Sequence, residues 1–255
     1  MNFTIDNPSF LEGTSLQGKS IYYKGSLELL EKRRVSIVGS RKPNAYAKSM
    51  THQIAAKLAK AGVCVVSGGA IGVDALAHKA AGASNTIMVA ATGLDVRYPA
   101  TNKQLIMEIE QKGLILSQFA EGTPSRRYNF PLRNELTVAL GEVLVVTYAD
   151  LQSGSVRSIE YAKKQGKEIF VLPHRLGESE ATNELLKNGE AKAIYDIDAF
   201  VGSFGEVEKE QPDEFLEFCR TYPTYDEAVR RFGGQVFQYE LEGKIDIKEG
   251  RVYPL

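Results

Sequence analysis

Short apolar runs alternate with stretches of helical periodicity along most of this sequence, and that alternation restricts the fold more than any other feature. Residues 35–39 form an apolar run that ends in glycine, and Met50, Ile54 and Leu58 then recur at helical spacing. The same succession repeats as far as a short run at residues 193–195. Continuous apolar strands that alternate with helices are typical of a parallel sheet covered on both faces. We therefore predict an α/β fold, an extended Rossmann-like doubly wound and mainly parallel sheet.

The composition divides the chain into four segments. An N-terminal arm (1–33) precedes the Rossmann-like domain (34–204), and the polar, acidic stretch 205–212 ends in Pro212 as a linker would. Residues 213–255 contain three short helical patterns and then a run of period two around Glu249 and Gly250, which indicates a hairpin. Three helices followed by a hairpin resemble a small winged-helix-like domain, too short for a large core of its own.

The net charge of −1 hides an asymmetry between the two parts of the chain. Residues 206–255 hold 12 acidic and 7 basic side chains, a net −5, which leaves +4 for residues 1–205. Residues 31–60 contain one acidic residue and eight basic ones: Lys32, Arg33, Arg34, Arg41, Lys42, Lys48, Lys57 and Lys60. Such a block is typical either of a polyanion-binding surface or of a solvated helix face.

The sequence also argues against secretion, membrane insertion, a disulfide framework and a metal site. The N-terminus lacks a basic stretch followed by an apolar one, and no apolar run approaches the roughly 18 residues of a membrane helix. The cysteines and histidines are scattered without ligand spacing: Cys64, Cys219, His52, His78 and His174. We expect a cytoplasmic protein with no membrane insertion, no disulfide, no metal and no cofactor.

Polar and glycine-rich residues follow several of the predicted strands. The first strand is followed by Gly39, Ser40 and Arg41, the second ends in Ser67, Gly68 and Gly69, and the fifth is followed by Ser153, Gly154 and Ser155. Ligands of doubly wound sheets bind at these strand ends, where backbone amides and an arginine suit phosphate groups. Tight packing of a strand against a helix also favours glycine, so a single turn does not decide between the two. Together the loops predict an anion surface larger than one mononucleotide needs.

The segment at residues 125–134 combines three arginines with two aromatic residues. Its candidate site residues are Arg127, Phe130, Arg133 and Asn134. Aromatic rings that stack on bases, together with guanidinium groups that hold the backbone, are what single-stranded nucleic acid requires. The alternative is that Phe130 is buried beneath the loop.

Patterns that indicate catalysis are weak. The sequence lacks a G-x-S-x-G elbow, an HExxH pair and a GxxxxGK[ST] loop. Asp74 and His78 are four residues apart on a predicted helix, a spacing more typical of a structural contact. Asp95, near another strand end, has no evident partner. We expect no catalytic residue.

The ordered set of patterns resembles the DNA-processing protein A family (DprA, also called Smf). The resemblance covers residues 34–204 and rests on these stretches: 38–41 with Pro43, 66–78, 98–99, 130–134, 153–155, 171–173 and 182–186. It implies an extended Rossmann fold that binds single-stranded DNA without cutting it, usually as a homodimer. It also implies that the strand is protected and brought to the recombinase RecA during natural transformation and recombination.

The resemblance assigns roles residue by residue. Gly39, Ser40 and Arg41 would hold phosphates, the 67–69 turn would supply amides, and Ser153 to Ser155 would add hydroxyls and amides. Arg127 would add a cation and Phe130 a stacking face, while Arg133 and Asn134 would line or brace the pocket. Glu135 stands where the family often has a basic residue. It therefore either weakens the pocket wall or faces away from DNA.

Two questions stay open at this stage. The fold also resembles phosphoribohydrolases that release a base from a nucleoside monophosphate, although residues 67–74 lack the proline and the glutamate of those enzymes. The acidic C-terminal module argues against strong phosphate binding, because non-specific affinity comes from neutralised phosphates. We expect this module to contact protein or, at most weakly, duplex DNA.

Overall fold

A computed structural model describes residues 3–207, 213–241 and 243–254. The chain divides into two compact units, Met1–Val207 and Glu208–Leu255. Residues 208–212 of the predicted linker lie outside the described residues.

Within the described residues, the first unit contains one nine-stranded sheet and the second a two-stranded sheet. The strands are β1 (Phe3–Ile5), β2 (Ile21–Gly25), β3 (Arg34–Val38), β4 (Cys64–Gly68), β5 (Thr86–Val89), β6 (Leu114–Ser117), β7 (Val143–Val146), β8 (Ile169–Val171), β9 (Lys192–Ala193), β10 (Ile245–Lys248) and β11 (Arg251–Pro254). The helices are α1 (Ala45–Lys60), α2 (Val73–Ala81), α3 (Lys103–Lys112), α4 (Asn129–Leu140), α5 (Ser155–Lys164), α6 (Glu180–Lys187), α7 (Ile197–Gly202), α8 (Glu214–Cys219), α9 (Tyr225–Phe232) and α10 (Gln235–Leu241).

The predicted doubly wound, mainly parallel sheet is confirmed. The strand order is β1-β2-β6-β5-β4-β3-β7-β8-β9, and every pairing from β6 through β9 is parallel. Successive residues of β4 enter different cores: Val65 packs in a cluster with Ile54 and Leu58 of α1, and Val66 in a cluster with Leu136 of α4. Helices therefore cover both faces, which is why the central strands are mostly apolar.

The strand order reverses beside β3. The chain proceeds from β3 through β4 and β5 to β6 on one side, and then returns to β7 on the other side. In doubly wound sheets such a reversal opens a crevice outside the carboxyl ends of the central strands. The topology therefore places the candidate site where β3, β4 and β7 end.

The N-terminal segment is not a separate arm, and this corrects the prediction for residues 1–33. Strand β2 pairs antiparallel with β6, and β1 pairs antiparallel with β2. Leu11 and Ile21 are fully buried in the cluster that contains Leu136 of α4. The segment thus extends the sheet and covers one end of α4.

The sequence pattern predicts one helix over residues 70–81 and another from about Leu132 to Leu140, and both begin at other residues in the structure. Helix α2 begins at Val73 and not at residue 70, because Gly72 has a φ of +84°, a left-handed conformation outside a helix. Helix α4 begins at Asn129 and not near Leu132, and Pro131 lies in its first turn. Proline is tolerated there because the backbone amides of the first turn have no intrahelical partner.

The second unit contains the three helices and the hairpin that the sequence predicts. Strands β10 and β11 pair with Lys248 opposite Arg251, and the turn residues Glu249 and Gly250 both have positive φ. Its small core includes Phe215, Val236, Ile245 and Val252. The winged-helix likeness of this unit remains a prediction.

Candidate nucleic-acid interface

A cavity of about 910 Å³ opens at the carboxyl ends of β3, β4 and β7. We call it the strand-end cavity. Most of the predicted site residues line it: Gly39, Ser40, Arg41, Gly68, Arg127, Phe130, Arg133, Asn134, Ser153, Gly154 and Ser155. The structure therefore brings together side chains and backbone from four separate stretches of sequence.

Backbone hydrogen bonds fix the loop after β3. The amide of Ser40 donates to Tyr148 O at 2.8 Å, and the carbonyl of Ser40 accepts from the amide of Val73 at 3.1 Å. A Cβ on Gly72 would lie 2.7 Å from the Arg41 backbone, so only glycine permits this approach. The loop is thus held against β7 and α2, and the exposed side chains of Arg41 and Lys42 line the cavity.

The start of α4 places an aromatic ring beside this loop. The Asn129 side chain donates to Ala91 O at 3.0 Å and to Pro124 O at 3.2 Å, which anchors the first turn. Phe130 is half-buried, with the Arg41 guanidinium 5.5 Å from its ring centre and the Tyr98 ring at 5.7 Å. The ring is therefore not hidden under a loop and is accessible to a ligand. We call Arg41, Lys42, Arg127 and Phe130 the rim of the cavity.

A buried ion pair forms the other part of the lining. Arg133 is 4% exposed; its Nη1 donates to Val89 O at 2.7 Å, and its Nη2 lies 4.0 Å from the Asp74 carboxylate. A Cβ on Gly68 would overlap this guanidinium, so the glycine makes room for it. We call Gly68, Asp74 and Arg133 the floor of the cavity.

Burial shifts the pKa of both members of this pair. It raises the pKa of the Asp74 carboxyl and lowers the pKa of the Arg133 guanidinium, while their mutual attraction opposes both changes. Within the described residues Arg133 Nε has no hydrogen-bond partner. Of the two predicted roles of Arg133, lining and bracing the pocket, its contacts favour bracing.

Two predicted residues lie outside the strand-end cavity, which corrects part of the expectation for the 67–69 turn. Ser67 is fully buried, and its hydroxyl donates to Ile37 O at 2.6 Å, so it ties β4 to β3. Gly69 lines a separate apolar cavity of about 180 Å³ that also contacts Phe130 and Tyr98.

Asp74 and His78 make separate contacts in the interior. His78 Nε2 donates to Gly68 O at 2.7 Å, and its Nδ1 lies 2.6 Å from the Thr86 hydroxyl. Burial lowers the pKa of His78 to about 4, so the ring is neutral at physiological pH. Asp95, which had no evident partner, accepts from the amide of Gly122 at 2.9 Å.

Glu135 faces away from the cavity. It is 6% exposed, and its carboxylate accepts from the Ser15 amide at 2.8 Å and from the Ser15 hydroxyl. Of the two alternatives for this position, the structure supports a side chain that faces away from the cavity. Its carboxylate instead fastens the N-terminal segment to α4.

The wall on the β7 side is polar and partly acidic. The Ser155 amide donates to the Ser153 hydroxyl at 3.3 Å, and the Asn134 side chain donates to Gly154 O at 3.3 Å. Two carboxylates that sequence reasoning missed, Asp150 and Glu180, also line the cavity. The rule of strand ends could have found Asp150, four residues after β7. Glu180 is the first residue of α6 and left no local signal.

The described residues hold no group of three histidine, cysteine or acidic side chains that could bind a metal ion. The two cysteines are both buried and unbonded. Among the helices of the described residues, none has the length and apolarity to cross a membrane.

Comparison with known proteins gives one consistent result. A family profile described as DNA recombination-mediator protein A matches residues 4–205. Protein Smf of Synechocystis is 36% identical over 195 residues, which are 73% of this chain and 49% of that protein. The chain spans about half the length of several such curated relatives.

Two solved structures share the fold at substantial identity. The structure of DNA processing protein A from Helicobacter pylori, reported for its single-stranded DNA binding mode, is 40% identical, with a TM-score of 0.77 over 80% of this chain and 95% of that chain. The X-ray structure of DprA from Streptococcus pneumoniae is 32% identical, with a TM-score of 0.73 over 81% of this chain and 75% of that chain. This chain therefore belongs to the DNA recombination-mediator protein A family, also known as DprA or Smf.

Proposed function

We propose that this protein binds single-stranded DNA in the strand-end cavity without cleaving it. The observation that carries the proposal is the rim, where three exposed cations meet an accessible aromatic ring. Arg41, Lys42 and Arg127 form no ion pair with any described residue, so their charges are available to phosphates. The Helicobacter pylori relative, reported for its single-stranded DNA binding, supports the same ligand.

The chemistry of the rim suits a sequence-tolerant mode of binding. Guanidinium and ammonium groups hold backbone phosphates without reading bases, while Phe130 offers a flat face to whichever base reaches it. The guanidinium of Arg41 beside the Phe130 ring brings the two functions within one nucleotide of each other. Gly39, Ser40, Asn134 and the 153–155 segment complete the lining with small and hydrogen-bonding groups.

Two carboxylates of the lining orient the strand. Asp150 and Glu180 repel phosphates, so the backbone runs along Arg41 and Arg127, where a base reaches the ring of Phe130. This arrangement favours a single strand over a duplex, because paired bases cannot turn toward protein while both backbones meet cations.

We also propose that the protein serves as a mediator and not as an enzyme. The contacts of His78 support this, since the ring is fully buried and its two nitrogens meet Gly68 O and the Thr86 hydroxyl, while Asp74 on the floor of the cavity is paired with Arg133. The bound strand would be protected in the cytoplasm and transferred to RecA by a homodimer during natural transformation or recombination.

A salt titration tests the central claim. The full chain is mixed with a fluorescent single strand of roughly 30 nucleotides and, separately, with the matching duplex. We expect tighter and strongly salt-dependent binding of the single strand. Equal affinity for both forms, or none at low salt, would contradict the proposal, and release of base from a nucleoside monophosphate would revive the hydrolase alternative. RecA loading is tested separately, as the rate of RecA-dependent ATP hydrolysis on the coated strand.

A further inference from the structure

A second basic cleft begins where the strand-end cavity ends. It has a volume of about 460 Å³ and lies between α1 and α2, and Arg41 and Lys42 line both spaces. Beyond these two residues its cations are Lys48 of α1 and Lys79 of α2. We infer that this α1–α2 cleft holds the backbone of the DNA strand as it leaves the strand-end cavity. The inference rests on the proposed function and extends it by naming the path of the strand.

The charge of the cleft is the first argument. Four cationic side chains line it and no acidic one does, among the described residues. The fold itself gains nothing from such a grouping, because like charges repel and destabilise the compact state. A phosphodiester backbone is the ligand that neutralises a row of cations.

The pairing of basic residues elsewhere is the second argument. In the same basic block, Arg33 pairs with Glu142 at 2.6 Å and Lys57 pairs with Asp198 at 2.6 Å. Lys42, Lys48 and Lys79 are exposed, and none forms an ion pair with a described residue. Within the block at residues 31–60, Arg33 and Lys57 therefore form ion pairs that brace the fold. Lys42 and Lys48, together with Lys79 of α2, are available to bind an anion.

The remaining lining determines what kind of contact is made. Among the residues that the structure describes, no aromatic side chain lines the α1–α2 cleft, so bases cannot stack there as they can on Phe130. Asn102 is buried at its edge, where its side chain donates to Gly69 O at 3.0 Å and keeps the loop before α2 in place. The cleft thus offers fixed walls and cations to the sugar-phosphate backbone alone, and its contribution to affinity is electrostatic.

Strand length is the variable that isolates this cleft. The double variant K48A/K79A is compared with wild type on a single strand of roughly 6 nucleotides, which engages the strand-end cavity alone, and on one of roughly 30 nucleotides. We expect the variant to bind the long strand roughly 10-fold more weakly at low salt, with a salt dependence shallower by about 1.4, the value for two phosphate contacts. Its affinity for the short strand should equal that of wild type.

A matched control removes the same charge elsewhere. Lys164 and Lys187 are exposed lysines in the last turns of α5 and α6, and K164A/K187A should bind both strands as wild type does. Unchanged binding of the long strand by K48A/K79A would overturn the inference and leave the proposed function intact. Equal losses on both strands would also overturn it. Failure of wild type to bind either strand would reject the proposed function and the inference with it.

Discussion

The floor and the rim of the strand-end cavity both contain arginine, but they use it for opposite purposes. On the floor, Arg133 is buried, pairs with Asp74 and occupies the space left by Gly68. On the rim, Arg41 is exposed, forms no ion pair with a described residue and has its guanidinium 5.5 Å from the centre of the Phe130 ring. The floor charge is already neutralised by the fold, whereas the rim charge is still available.

This difference shows how exposure decides what an arginine does. When one member of a buried ion pair is truncated, the other charge is left unpaired in a medium of low dielectric, so the free energy of unfolding falls. An exposed guanidinium costs the fold little when it is removed, and the loss appears in ligand binding. Floor variants should therefore change the free energy of unfolding, and rim variants should change the affinity for DNA.

The largest effect is expected at Arg133. Arg133→Met keeps most of the side-chain volume but leaves the buried Asp74 carboxylate without its cation, and we expect a loss of roughly 3 to 5 kcal/mol in the free energy of unfolding. Denaturant titration measures it. The double variant R133M/D74N also removes the unpaired charge of Asp74 and should recover part of the lost free energy of unfolding. If Arg133→Met instead unfolds like wild type and binds DNA poorly, Arg133 belongs to the rim.

The next effect is a dependence of stability on pH. The folded-state pKa of His78 is about 4, below the unfolded value of 6.5, so the unfolded chain takes up a proton first as the pH falls. The stability contribution of neutral His78 is complete above pH 6.5 and is lost as the pH falls toward 4, by roughly 3 kcal/mol in all.

Two measurements check this assignment. An NMR titration should give His78 a pKa near 4. In denaturant titrations across the same pH range, His78→Gln should flatten the dependence and His52→Gln should not. A slope that survives His78→Gln would transfer the effect to groups other than Asp74, because the raised pKa of Asp74 stabilises the fold as the pH falls and so acts in the opposite direction.

The third effect is confined to the rim. Loss of the Phe130 ring should weaken binding of single-stranded DNA by about 1 to 3 kcal/mol, or roughly 5-fold to 150-fold, since this is the usual value of stacking one base on an aromatic side chain. Fluorescence anisotropy measures it, with Phe130→Leu losing as much as Phe130→Ala and Phe130→Tyr retaining affinity. A Phe130→Leu variant that binds as wild type would show that bulk, and not a flat ring, is what the site uses.

The sequence predicted the elements and the place of the site more fully than the roles of its residues. Periodicity and glycine positions identify β3, α1 and the hairpin because each depends on neighbours in the chain. Strand-end reasoning brings Arg41 and Ser153 to one cavity, since topology alone unites them. The sequence does not tell Arg133 from Arg41, because burial depends on Gly68 and Asp74, which are 65 and 59 residues away along the chain. The antiparallel pairing of β2 with β6 and the contact between Ser15 and Glu135 were not predicted for the same reason, because each joins residues that are far apart in the sequence.

The smallest effect separates the floor from the rim most directly. Arg41→Ala should make the logarithmic salt dependence of single-strand binding shallower by about 0.7, because one exposed cation no longer releases a counterion from the strand. Arg133 is neutralised by Asp74 in the free protein, so a folded R133M/D74N variant should keep the wild-type slope. Lys164→Ala, which removes an exposed charge at the far end of α5, should keep it too. If Arg41→Ala lowers affinity and leaves the slope unchanged, Arg41 acts by holding Phe130 in place and the phosphate contact falls to Arg127 and Lys42.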